Sequence, residues 1–201
     1  RALADRFRAF VTRAAATEAT RAGGRTGLAE ALARGYHKVL AYKDEYEVAR
    51  LYADGAFAAR IAAAYEGRPR IEVHLAPPIL AERDPVTGAP RKRAFGPWMF
   101  ALFHLLARLK GLRGTAFDPF GRSPERRAER ALIATYEGAV DEALGRLDHD
   151  NYDLVVEIAR FVEPIRGFGH VKDANRTAAL ARLGELMALL RVGPRTRRAA
   201  E

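Results

Sequence analysis

Residues 96–123 read Gly96-Pro-Trp-Met-Phe-Ala-Leu-Phe-His-Leu-Leu-Ala-Arg-Leu-Lys-Gly-Leu-Arg-Gly114-Thr-Ala-Phe-Asp-Pro-Phe-Gly-Arg-Ser123. This stretch holds the one Trp of the chain and its densest apolar run. Pro97 suits a first helical turn, where a missing N–H costs nothing. Trp98, Phe100, Leu102, Phe103, Leu105, Leu106 and Leu109 then fall on most sides of a helix, and a helix apolar nearly all round is a buried one. Arg108 and Lys110 favour the negative end of the dipole, and Gly111 can take a left-handed terminating conformation. The pattern predicts a central core helix over 97–110. It is too short to span a bilayer and carries charge at its end.

Upstream, Ile71, Val73 and Leu75 alternate with Glu72, His74 and Ala76, the period of a half-buried strand. Pro77-Pro78 limits ladder hydrogen bonding, and Asp84-Pro-Val-Thr-Gly88 is a turn signal. Arg91-Lys92-Arg93-Ala94-Phe95 leads back to the helix, so a β-hairpin arm over 70–95 is expected. Before it, 1–20 and the run from Leu28 to Leu40 carry apolar residues at helical spacing, with Thr26 as a cap for the second. Short helices follow at 46–52 and, after Asp54, at 55–65. Downstream, Ser123-Pro124-Glu125 is a helix start with cap, Pro and first-turn acid. That helix runs to about Leu147. Others follow at 152–162, capped by Asp150 or Asn151, and at about 171–191. The fold class expected is mainly α, a multi-helix bundle with a small β-hairpin inserted around 70–95. Residues 1–201 are taken as one domain with a frayed basic tail over 192–201.

The 201 residues are 49% hydrophobic, enough for a sizeable core. There is no Cys, which excludes disulfides, cysteine nucleophiles and thiolate-held iron–sulfur clusters within this chain. The sequence begins at Arg1 with no signal-peptide pattern, which reads as a piece of a longer cytoplasmic chain, with no membrane partner. The net charge of +9 is mostly Arg and dispersed; it suits an anionic partner or, more plainly, solvated helix faces.

The five His residues, His37, His74, His104, His149 and His170, lie too far apart for a zinc motif. No nucleophile elbow, P-loop or dinucleotide fingerprint occurs. No catalytic residue is assigned. Two basic groups are candidates for binding. In Arg166-Gly-Phe-Gly-His170-Val-Lys172, flexible backbone opens a helix beside three basic side chains, a recipe for an anion contact by Arg166, His170 and Lys172. Its plainer reading is a helix–helix turn. Arg91, Lys92 and Arg93 could meet an acidic partner or simply be a solvated strand end. Glu47 and Arg50 form an i,i+3 helix pair.

Several segments, in order, carry a resemblance: Tyr42-Lys-Asp-Glu-Tyr-Glu-Val-Ala-Arg-Leu-Tyr52, His74-Leu-Ala-Pro-Pro78, Asp84-Pro-Val-Thr-Gly88, Arg91-Lys-Arg93, Phe95-Gly-Pro-Trp98, Leu105 to Gly114, Asp118-Pro-Phe-Gly-Arg122, Glu129-Arg-Ala-Leu-Ile133 and Ile165 to Lys172. Together they resemble the C-terminal domain of fused indolepyruvate ferredoxin oxidoreductases, of the 2-oxoacid:ferredoxin oxidoreductase family, over roughly residues 30–190. The resemblance implies a parent enzyme that oxidatively decarboxylates arylpyruvates to aryl-acetyl-CoA. Thiamine diphosphate with Mg2+, iron–sulfur clusters and coenzyme A supply its chemistry, and ferredoxin takes the electrons. The family's thiamine and cluster segments lie upstream, so none of its catalytic residues maps here. The expected partners are the upstream catalytic domains of the same chain, ferredoxin, and a second copy in a homo-oligomer. The alternative reading is an independent basic helical module that binds nucleic acid, for which the dispersed charge is a poor match.

Overall fold

The computed structural model describes residues 2–42, 44–67, 69–76, 91–167 and 169–192. Among these it is mostly helical, in chain order α1 (Ala2–Arg21), α2 (Leu28–Leu40), α3 (Glu45–Ala53), α4 (Ala56–Ala64), β1 (Val73–Leu75), β2 (Arg93–Phe95), α5 (Trp98–Arg108), a 3-10 turn (Leu109–Leu112), α6 (Pro124–Gly145), α7 (Tyr152–Arg160) and α8 (Gly169–Val192). The mainly α class with a small inserted hairpin is the architecture found. β1 and β2 pair antiparallel with Val73 opposite Phe95 and Leu75 opposite Arg93. Pro77-Pro78, the 84–88 turn and all of the tail beyond Val192 lie outside the described residues. The chain, read from sequence as one domain, divides into two compact units: Arg1–Tyr42 with Ala128–Glu201, and Lys43–Arg127.

The larger unit holds the main core. Its helices contribute Phe10 and Ala14 from α1, Leu28, Leu32, Tyr36 and Val39 from α2, Tyr136 and Val140 from α6, Val155 and Ile158 from α7, and Leu183, Leu186 and Leu190 from α8. Phe7, Tyr36, Tyr136 and Phe161 stack in sequence, with ring centroids 5.8, 5.9 and 5.8 Å apart. Each buried hydroxyl is satisfied. Tyr136 donates to the carbonyls of Ala159 at 2.8 Å and Leu32 at 3.2 Å, and Tyr36 donates to Glu137. Burial, then the hydrogen bond to Glu137, pushes the Tyr36 hydroxyl up to about 12. Gly35 lets α2 come this close: a Cβ there would lie 2.5 Å from both the Ala159 carbonyl oxygen and the Tyr136 hydroxyl.

The start of α2 differs from the sequence expectation. Thr26 is not its cap. Gly27 occupies that position at φ +119°, a conformation open to glycine, and offers no side chain. The missing acceptor comes from α1: the buried Glu18 carboxylate accepts the N–H of Leu28 at 2.7 Å and of Ala29 at 3.0 Å. It also accepts the Tyr152 hydroxyl of α7 at 2.6 Å. Burial, then this bond, pushes that hydroxyl up to about 12.

The smaller unit corrects the central expectation of the sequence. The helix over 97–110 is not the core of the chain. α5 lies in the smaller unit, where its Met99 and Phe103 form a buried apolar cluster with Ala49 and Val73. Trp98 is 61% exposed and Leu105 53%. α3 and the hairpin are enough to cover one side of a helix, not all sides, and a unit this size buries a smaller share of its surface. Asp44 caps α3 by accepting the Tyr46 N–H at 3.1 Å. The loop after α5 winds about Asp118, which is buried and accepts the N–H groups of Gly114 at 2.9 Å and Phe120 at 3.1 Å and the Tyr46 hydroxyl at 3.2 Å. Burial alone would raise the Asp118 carboxyl; the N–H donors of Gly114, Gly121 and Phe120 and the Tyr46 hydroxyl outweigh it and hold it below the usual range. Ser123 accepts the Arg126 N–H at 3.2 Å and so begins α6 as expected.

Two outcomes follow from these carboxylates. Glu18→Ala removes the acceptor for two helix-end donors and a buried hydroxyl, and is expected to cost about 2–4 kcal/mol in urea unfolding, against about 1 kcal/mol for Tyr152→Phe. Asp118 has a depressed carboxyl, so its contribution is complete above the unfolded value near ~3.9 and is lost as pH falls through the folded value. Thermal unfolding of Asp118→Asn should therefore show its deficit at neutral pH and a shrinking deficit toward about pH 3.

Candidate functional site

Among the sequence candidates, Arg166, His170 and Lys172 all lie where the turn after α7 leads into α8. Gly167 and Gly169 have φ of +97° and +54°, so the turn is built on left-handed glycines; Phe168 lies outside the described residues. His170 is exposed. Arg166 Nε donates to the Glu163 carbonyl at 3.3 Å, and the Arg166 carbonyl accepts from Asn175 at 2.9 Å. Lys172 has a different employment from the one expected. Its ammonium pairs with the Glu129 carboxylate, which is only 6% exposed. A buried carboxylate needs that partner, so Lys172 holds α8 to α6 before it holds any ligand.

Lys38 of α2 joins this group without any local signal in its sequence. Its Nζ donates to the Glu163 carbonyl at 2.6 Å, so Lys38 and Arg166 converge on one neutral oxygen. Burial, then the charge of Arg166, lowers the Lys38 ammonium from its usual value; Lys172 adds to this and Glu163 opposes it. An α2 residue with polar neighbours looks like a solvated surface position in sequence. Only the approach of α2 to the 161–165 turn identifies it.

A cleft of about 380 Å3 lies alongside, lined by Arg25, Glu30, Arg34, Tyr152, Arg160 and Glu163 among others. Its charges pair with one another or nearby: Arg34 with Glu30, Arg160 with Glu163, and Arg25 with Asp153. Arg25 also lies over the Tyr152 ring at 4.3 Å. Among the described residues no three His, Asp or Glu side chains gather as metal ligands.

In the smaller unit, Arg91, Lys92 and Arg93 are exposed at the start of and on β2. They precede a surface that sequence reading assigned to the interior. Trp98, Leu102, Leu105 and Leu109 are all exposed. The Trp98 indole meets Phe95 of β2 edge-on at 5.8 Å, which fixes the start of this row. No described helix is long and apolar enough to cross a membrane.

Comparison with known proteins adds one match. A model for a family of unknown function (DUF6537) matches residues 1–185. No curated protein and no solved structure matches.

The Lys172–Glu129 pair makes a distinguishable prediction. Lys172→Met leaves a buried carboxylate unpaired and should cost about 3 kcal/mol in urea unfolding. Adding Glu129→Met to it should recover most of that loss, because two apolar side chains of similar length replace the pair.

Proposed function

The chain belongs to the DUF6537 family, and from its residues and surfaces we propose a non-catalytic accessory domain of a cytoplasmic indolepyruvate-type 2-oxoacid:ferredoxin oxidoreductase. The ordered segments from Tyr42 to Lys172 that resemble the C-terminal domain of that enzyme name the parent. The observation that carries the accessory role is the exposed apolar row of Trp98, Leu102, Leu105 and Leu109. Monomeric proteins seldom leave contiguous apolar surface in water unless a partner covers it.

The cofactors of the parent are assigned to its catalytic domains in this reading. This chain offers no thiolate for an iron–sulfur cluster. It has no Cys, and no acidic or histidine cluster with metal-ligand geometry occurs among the described residues. What the chain supplies is position: two helical units that pack beside the catalytic domains, support a homo-oligomer, and present cations to acidic ferredoxin or to the phosphates of coenzyme A. For the latter, Lys38 and Arg166, which converge on the Glu163 carbonyl, replace Lys172 as the stronger pair, with His170 exposed at the start of α8.

The test is reconstitution. Catalytic domains of an indolepyruvate ferredoxin oxidoreductase, produced without their C-terminal domain, are mixed with this chain. Co-elution on size exclusion and faster reduction of ferredoxin are the expected result. Catalytic domains that neither bind the chain nor change rate overturn the reading.

A further inference from the structure

The row on α5 has a spacing that specifies its occupant. Trp98, Leu102, Leu105 and Leu109 are separated by four, three and four residues, the repeat of a coiled-coil seam. The α-helical geometry holds through the last of them, since the Leu109 N–H reaches the carbonyls of Leu105 and Leu106. Met99 and Phe103, along one flank of this row, are buried in the unit's own core. The exposed seam is thus narrow, two residues per seven. A seam of this width fits one facing helix, whereas a bilayer is served by a broad apolar face.

The charge around it specifies the partner's sign. Arg108 at the end of α5 and Lys110 in the turn after it are exposed; Arg113 beyond them pairs with Asp44, and the buried Asp118 spends its oxygens on backbone N–H groups and Tyr46. Arg108 is exposed and occupies the position beside the seam that, in paired helices, meets a charged residue of the partner. Ala101, two turns before it on the same edge, is small and lets a second helix approach. A second copy of this seam would set Arg108 and its basic surroundings against themselves, which disfavours self-pairing.

We propose that the exposed α5 seam docks an amphipathic helix of a protein partner, with apolar residues at heptad spacing and acidic residues flanking them. This rests on the reading of the chain as an accessory domain, and not on which enzyme it serves.

Trp98 reports on it directly, as the single Trp of the chain and the first residue of the seam. Two synthetic peptides are titrated into the intact chain. Both have Leu at the seam positions; one has Glu at the flanking positions, the other Lys. Binding of the Glu peptide should shift Trp98 emission to shorter wavelength, weaken with added salt, and exceed binding of the Lys peptide by about tenfold or more. Leu105→Asp and Leu109→Asp should each weaken the Glu peptide about tenfold or more, with unchanged circular dichroism. Leu180→Asp, an exposed apolar position on α8, should leave binding intact. No shift with the Glu peptide, or equal binding of the Lys peptide, overturns the proposal. So does a shift produced only by phosphatidylserine-containing vesicles, which assigns the face to a membrane. A shift that grows with the concentration of the chain alone, together with a dimer in sedimentation, assigns it to a second copy and also overturns the proposal. Catalytic domains that bind wild type and Leu105→Asp equally sink this inference while leaving the accessory reading standing. Peptide binding without binding of those domains does the reverse.

Discussion

The Glu18 carboxylate is the contact on which the order of the larger unit depends. It sits on α1, yet it completes the first turn of α2 and takes the hydroxyl of α7's first residue. A helix whose cap position is glycine has no side-chain acceptor of its own, and unsatisfied N–H groups in a buried turn are costly. One charged group therefore fixes where α2 begins, how α1 lies against it, and where α7 starts. Once α2 is in register, Gly35 meets the Ala159 carbonyl and Tyr136 can reach both α2 and α7. The ring stack from Phe7 to Phe161 follows from that close approach.

The smaller unit uses the same device on a smaller scale. Asp118 gathers the ends of its loop through backbone donors and ties it to α3 through Tyr46. Glu45 at the start of α3 pairs with the buried Arg126 at 2.6 Å. With few buried apolar side chains, such polar fixtures define the geometry more than packing does. A unit organised this way keeps its shape while leaving one side of α5 uncovered.

Sequence periodicity recovered the elements and missed what covers them. The α2 face, the Val73–Leu75 alternation, the Ser123-Pro124 helix start and the Glu47–Arg50 pair are local signals, and each reappears in the structure. Glu18, Asp118, Glu129 and Lys38 left no local trace, because a charged residue in a helix or loop looks solvated until its distant partner is placed. Trp98 shows the opposite failure. A helix apolar on nearly every side reads as buried, but the reading presumes enough surrounding protein to bury it. Apolar content states that a face needs a cover and is silent on whether the chain itself provides one.

The distribution of charge separates the two classes of partner raised by the basic composition. In the larger unit, arginines reach across to carboxylates on neighbouring helices: Arg6 to Glu137, Arg182 to Glu157, Arg191 to Glu142. Such exposed pairs add little stability each, but they use up positive charge that phosphates would otherwise meet. In the smaller unit, exposed Arg108 and Lys110 flank a row of Trp and Leu. A nucleic-acid surface gains its affinity by replacing counterions along a backbone, and a leucine seam contributes nothing to that exchange. Against a protein helix the same seam buries apolar area while the cations select acidic flanks. The docking proposed for α5 is thus a reading for a polypeptide and not for a polyphosphate, on grounds that total charge alone does not contain.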